Sequence, residues 1–151
     1  MHNLAPAFIL NKASTHSGHF DAVVLFVDTS GFTPLTAELS QHGLEGAEVL
    51  ADILLAVFEP LVEAVYAHGG FIAGFAGDAF KAIFLTSQGN SEEDSYVNAL
   101  AAAEQIQRHM IAHPIHETRY GSFEFIVRIC MAAGRVTWSI WSGAPSGADQ
   151  S

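Results

Sequence analysis

The feature that most narrows the folds open to this chain is the run Ala22-Val23-Val24-Leu25-Phe26-Val27, which breaks at once into Asp28-Thr29-Ser30-Gly31. A short, continuous apolar run rich in Val and Phe, closed by a turn sequence, predicts a central strand buried on both faces. Such a strand needs neighbours on each side, so the rest of the chain must supply a sheet and the helices that cover it.

The segments that follow do so. Thr33 reads as a helix cap with Pro34 at the first helical position, leading through Leu35 to Gln41 until His42-Gly43 stops it. A longer helix starts near Glu45. Its Leu50, Ile53, Leu54, Val57, Phe58, Leu61, Val62 and Val65 recur at three and four spacing and form one core-facing stripe. Pro60 lies inside that stripe and predicts a kink. His68-Gly69-Gly70 ends the helix. Phe71 to Phe75 and Ala79 to Leu85, separated by Gly77-Asp78, predict a hairpin with Asp78 at its tip. A polar loop, Ser87 to Asp94, precedes an Ala-rich helix from Tyr96 to Met110, in which Ala99 to Ala103 are packing surface. Phe123 to Ala133 and Val136 to Trp141 return to strand.

This order predicts an α+β fold, a ferredoxin-like sandwich with a mostly antiparallel sheet and helices on one face. There the first strand lies antiparallel beside the strand that follows Asp78, so Asp28 and Asp78 become neighbours. Residues 1–18 read as a lead-in, 19–143 as the folded domain and 144–151 as a flexible tail.

Composition limits the partners. Six Lys and Arg stand against sixteen Asp and Glu, a formal charge of −10, which argues against nucleic acid or an anionic membrane. No stretch approaches the ~20 apolar residues of a membrane span, because Asp52, Glu59 and Glu63 interrupt the most apolar region. Leu4 to Leu10 lack the basic flank of a signal peptide. The single cysteine, Cys130, falls in a run that reads as a buried strand, and a reducing, cytoplasmic setting is the simplest expectation.

Two carboxylates side by side repel unless one takes a proton or both share a cation. Beside them, Ser30-Gly31-Phe32-Thr33 opens a helix whose free backbone N–H groups attract anions. Metal on one side and phosphate on the other is what phosphoryl chemistry on a nucleoside triphosphate requires. Taken singly, Asp28 is an ordinary residue after a strand and Asp78 an ordinary hairpin tip. Their order and the elements between them carry the argument.

The stretch from Phe26 to Thr33, then Gly69-Gly70, and Phe75-Ala76-Gly77-Asp78-Ala79 with Ala82 and Phe84, resembles the class III adenylate and guanylate cyclases. The resemblance runs from about residue 19 to 143. It includes Arg128 to Val136, similar to the family's strand that ends in a glycine and re-enters as strand. It looks most like the first catalytic domain of the soluble, bicarbonate-responsive adenylate cyclases. It implies that Asp28 and Asp78, helped by the carbonyl of Thr29, hold two Mg2+ or Mn2+ ions, and that Gly31, Phe32 and Thr33 contact phosphates. It also implies ATP, with GTP as alternative, as substrate, and a second cyclase domain as partner in a homodimer or pseudo-heterodimer. Exposure of Trp138 and Trp141 near an unpaired edge would be costly and points the same way.

Two departures qualify this. Complete members carry a purine-reading lysine four residues before the second aspartate, where this chain has Gly74. A hydrogen bond from a charged group is worth about 1.5–3 kcal/mol, so its loss costs roughly one to two powers of ten in nucleotide choice. Lys81 lies seven residues further on and past the hairpin turn, and reads first as a solvated or interface lysine. Complete members also carry an asparagine and an arginine in a later motif, and no asparagine follows Asn98 here. Loss of a charge-neutralising arginine costs about 10³ to 10⁵ in rate, so the chain alone is expected to be nearly inactive. The alternative function is a catalytically impaired regulatory or dimerisation domain that binds nucleotide or a small anion. His109, His113 and His116 have a spacing that can hold zinc, but Pro114 interrupts them and no further ligand completes a set.

Overall fold

The computed structural model describes residues 17–86 and 91–139. Most of the expected lead-in, the centre of the polar loop, Trp141 and the 144–151 tail lie outside the described residues. The elements are β1 (Ser17–Ser30), α1 (Phe32–Leu39), a 3-10 turn (Ser40–His42), α2 (Gly43–Ala67), β2 (Phe71–Ala76), β3 (Ala79–Leu85), α3 (Glu92–Ala112), β4 (Ile115–Thr118), β5 (Gly121–Glu124) and β6 (Ile126–Ser139). Four strands make an antiparallel sheet in the order β2-β3-β1-β6, and β4 and β5 form a separate hairpin.

β1 is the central strand the apolar run predicts, but it starts at Ser17, well ahead of Ala22. Alternate residues Val23, Leu25, Val27 and Thr29 are fully buried and belong to the side that meets the helices. On the other side Phe26 is 38% exposed, so β1 is covered by helices on one face only.

The α2 stripe packs as its periodicity dictates. Ile53, Val57, Leu61 and Val65 are buried, with Leu50, Leu54, Phe58 and Val62 against their flanks. The helix continues through Pro60 and stops where Gly69 takes a left-handed φ of 78°. The Gly69 and Gly70 amides there donate to the Tyr66 and Val65 carbonyls, satisfying the helix end. Gly70 also lies so close to the Phe84 ring that a Cβ would sit 2.6 Å from it, a packing role beyond the stop signal. α3 begins at a capping box: Ser91 Oγ accepts from the Asp94 amide at 3.0 Å, and the Ser91 amide donates to the Asp94 carboxylate. Buried Ser95 donates to the Leu85 carbonyl at 2.7 Å and ties the helix to β3.

Several local expectations are corrected. Gly31, not Thr33, is the N-cap of α1, with φ 122° and no side-chain cap, and Pro34 falls at the third helical position. The glycine turns the chain within one residue, which leaves no room for a later cap. The stretch 123–133 is not one strand: β5 ends at Glu124, and β6 then runs unbroken through Ala133 and Gly134, where a turn is expected. Gly134 is held in the ladder opposite Ala22, since β1 extends far enough to pair with it. Cys130 is exposed rather than buried, because β6 is an edge strand and Cys130 lies on its uncovered face. Trp138 is half-buried across from Gly18, where the missing side chain makes room for the indole.

Gly31 combines a positive φ with a close backbone approach. A Cβ there would lie 2.3 Å from the Glu124 carbonyl and 2.9 Å from the Phe125 ring. Gly31→Ala is expected to cost more than the ~1–2 kcal/mol of left-handed strain alone. Gly69→Ala, at a positive φ with nothing within 4 Å, should cost only that strain. Urea denaturation of the two variants checks the order.

His109 stacks on His113 with ring centroids 4.7 Å apart, and His116 packs edge-on against Phe125. Burial, then repulsion from neighbouring histidines, lowers the pKa of both His109 and His116 below 6.5. Below pH ~6.5 the unfolded chain therefore binds more protons than the folded one, and stability falls as the pH drops through the lowered folded values. The urea midpoint should decrease between about pH 7.5 and about pH 5.5, and less so in a His109→Gln, His116→Gln variant.

Candidate functional site

The β1–β3 ladder pairs Val27 with Phe80 and Asp28 with Ala79, the residue after Asp78. The ladder is closed by the Thr29 amide donating to the Asp78 carbonyl at 3.1 Å. Asp28 and Asp78 are thereby adjacent in space across the strand ends. Asp28 is half-buried, Asp78 exposed on the two-residue turn it shares with Gly77, whose φ of 65° is the positive value that tight hairpins favour. Thr29 is fully buried and its hydroxyl has no hydrogen-bond partner, so its side chain faces the core and only its main chain borders the carboxylates.

Gly31, Phe32 and Thr33 follow directly. Phe32 is locked in the core, stacked on Phe58 with centroids 5.6 Å apart and tilted against Phe125 at 4.7 Å. Its side chain anchors the helix start and leaves its amide, with that of Thr33, at an N-terminus lacking a side-chain cap. Carboxylates and free amides thus lie within a few residues of each other, a donor set for cation and anion together.

The carboxylates already have one cationic neighbour. Arg128 of β6 pairs directly with Asp28 in the ladder, and its guanidinium lies 3.8 Å from the Asp28 carboxylate. Both side chains are substantially exposed, 69% and 37%, so the pair is screened and weak. Sequence reading did not single out Arg128 for this role, and only strand pairing could show it. Among the described residues no group of three or more His, Cys, Asp and Glu side chains converges to hold a metal, the three histidines included.

Gly74 lies in β2 on the uncovered side of the sheet, and a Cβ there would meet nothing within 4 Å. Its ladder partner in β3 is Lys81. Lys81 is exposed, as a solvated or interface lysine would be, but it is not distant from Gly74: about a two-residue turn at Gly77-Asp78, Ala76 pairs with Ala79, Phe75 with Phe80 and Gly74 with Lys81. Simple counting outward from the turn would have found it. On its other side Lys81 pairs with Phe26.

No family profile matches the chain. It is 32% identical over 126 residues to adenylate cyclase type 10 of Mus musculus, covering 81% of this chain and 7% of that protein. The Homo sapiens counterpart gives 32% over 127 residues, 82% of this chain and 8% of the relative. The chain thus spans less than a tenth of the length of these relatives. Among solved structures, the adenylyl cyclase CyaB from P. aeruginosa superposes with a TM-score of 0.61 at 23% identity, over 82% of this chain and 60% of that one. A bacterial light-regulated adenylyl cyclase gives 0.61 at 17% identity, over 93% and 40%. The antiparallel sheet with its helical layer is the fold of those catalytic domains. With sequence likeness over four fifths of its length and that fold in common, the chain belongs to the class III adenylate and guanylate cyclase family.

Proposed function

We propose that this domain binds a purine nucleoside triphosphate with divalent cations and, within its whole protein, takes part in converting ATP to 3′,5′-cyclic AMP and pyrophosphate. The observation that carries this is the closure of β1 on β3, which brings Asp28 beside Asp78 at the uncapped start of α1. Two carboxylates and the Thr29 carbonyl are hard oxygen donors, suited to Mg2+ or Mn2+. So small a protein donor set fits Mg2+ in particular, which keeps coordination positions for phosphate and water. The nearby Arg128 guanidinium supports the same reading, since it stands where the carboxylates draw positive charge.

In this reading Asp28 and Asp78 hold two ions, and the Gly31, Phe32 and Thr33 amides donate to phosphate oxygens. When bound, such ions draw charge from the phosphates and ease deprotonation of the ribose 3′-hydroxyl. The chain's own contribution is placement: the closely packed Gly31 and the buried Phe32 fix the amides relative to the strand ends, so little ordering remains when the nucleotide binds. The partner is a second cyclase domain, lying against the uncovered sheet face. That face carries Phe26, and Ile126, 53% exposed, lies at its β6 edge. The second reading, a domain that binds nucleotide without turning it over, draws on Gly74 at the base-reading position and on Arg128 against Asp28.

Calorimetric titration of ATP with Mn2+ should show metal-dependent binding that falls at least about tenfold in Asp28→Asn and in Asp78→Asn, the scale of a lost charged contact. Affinity unchanged by either substitution would remove the site assignment. Failure of the full-length protein to form cyclic nucleotide from Mn2+ and ATP would leave only the second reading.

Arg128→Met should tighten Mn2+ binding a few-fold at low salt, since a competing cation is removed from Asp28, and the gain should shrink as salt is raised. A Mn2+ titration followed by electron paramagnetic resonance reads this directly. Weaker binding in the variant would instead make Arg128 a group that orients Asp28.

A further inference from the structure

We propose that the β4–β5 hairpin is a splint for α1, in which Tyr120 is the positioning residue that keeps the Gly31, Phe32 and Thr33 amides set for phosphate. This rests on the nucleotide-binding reading above and adds what holds the phosphate-facing end of that site in place. Four observations converge on it.

First, three consecutive residues fasten the start of α1 to the end of the hairpin. Ser30 Oγ donates to the Ile126 carbonyl at 3.4 Å, a Cβ on Gly31 would lie 2.3 Å from the Glu124 carbonyl, and the Phe32 ring tilts against Phe125 with centroids 4.7 Å apart. Second, the turn of the same hairpin grips the other end of α1. The Tyr120 ring stacks on His42, the last residue of the 3-10 turn, with centroids 4.0 Å apart, and Arg119 pairs with Glu45 in the first turn of α2. The Arg119 guanidinium also lies 5.1 Å from the centre of the Tyr120 ring, a cation on an aromatic face. Third, the spans agree. From Phe32 to His42 the helix and its 3-10 turn rise about 16 Å, and the extended residues from Tyr120 to Phe125 cover about the same. A hairpin of this length meets both ends of α1 at once. Fourth, the hairpin is itself braced. Thr118 Oγ1 accepts from the Tyr120 amide at 3.0 Å and donates to the Gly121 carbonyl at 2.9 Å, which shapes the turn. The Phe125 amide donates to the Pro114 carbonyl at 2.8 Å, which closes the base.

A helix of about two turns without a side-chain cap has little stability of its own. Held at one end only, it would order its first amides when phosphate arrives, and that ordering would weaken binding. Held at both ends, it has them in place beforehand. Asp28 and Asp78 are fixed by the β1–β3 ladder instead, so metal contact by the carboxylates is set separately from the splint.

Two measurements separate a splint from a contact that merely adds stability. In the unliganded chain, hydrogen exchange read by NMR should speed up about 3- to 10-fold more at the Thr36 to Leu39 amides than at the Val23 to Val27 amides of β1 in Tyr120→Ala, the scale of a lost aromatic pair. Calorimetry should show ATP with Mn2+ and inorganic tripolyphosphate with Mn2+ each weakened about 3- to 10-fold in the same variant, while Mn2+ alone binds as before. Tyr120→Phe, which keeps the stack, should match the unsubstituted chain in both. Arg119→Gln, at a side chain 56% exposed, is the milder variant if circular dichroism shows that Tyr120→Ala does not fold, with an expected loss of about twofold. Exchange that rises equally in α1 and β1 overturns the splint, as does phosphate affinity indifferent to these substitutions or lost together with Mn2+ binding. Absence of Mn2+-dependent ATP binding in the unsubstituted chain is a different result: it removes the nucleotide reading and the positioning role with it, whereas the exchange measurement, made without ligand, reads the splint by itself.

Discussion

The hydrogen-bonded registration of β1 against β3 is the constraint on which the rest of this structure depends. It sets Val23, Leu25 and Val27 opposite Phe84, Ala82 and Phe80, a double row of buried side chains against which the helices pack. The same register, followed for one more residue, brings Asp28 to Ala79 and lets the Thr29 amide reach the Asp78 carbonyl. Core and site are thus consequences of one alignment. A slip of one residue would turn every apolar residue of β1 to the wrong face and move Asp28 away from the turn, so stability of the core enforces geometry at the carboxylates.

The sheet is covered unequally. On the helical side the alternation is saturated, with Leu25, Val27, Phe80 and Phe84 fully or nearly fully buried. The other side carries Phe26, Lys81, Arg128 and Cys130, all exposed, together with the candidate site. Antiparallel sheets commonly leave one face to solvent. Here the uncovered face combines exposed aromatic surface, paired carboxylates and a groove, the features on which the proposed nucleotide and partner-domain contacts rest.

Close packing joins the two halves of the candidate site. Gly31 turns the chain from β1 into α1 against the backbone of the β5–β6 junction, and Phe32 is wedged between Phe58 and Phe125. A residue with any side chain would separate those elements. The free amides of α1 are therefore fixed by packing from three directions, although the helix itself is short. Arg128 shows the electrostatic side of the same economy, since a chain of formal charge −10 places one of its few cations beside Asp28.

Much of this was legible in the chain as written. The apolar run of β1, the α2 stripe, the Gly77-Asp78 turn and the neighbourhood of Asp28 and Asp78 follow from periodicity and turn chemistry, which act over a few residues at a time. What failed were readings that depend on a partner strand. Gly134 looked like a turn until β1 was there to hold it in the ladder, and Cys130 looked buried until β6 proved to be an edge. Thr33 looked like a cap until the contact of Gly31 with Glu124 fixed the chain earlier. Lys81 looked remote from Gly74 because sequence counts along the chain while a hairpin folds that distance to zero. The sequence by itself determined which residues are apolar, which turn and which carry charge. Tertiary structure alone decided which of them share a face, because pairing across strands is set by the fit of the whole core and not by any residue's neighbours in the chain.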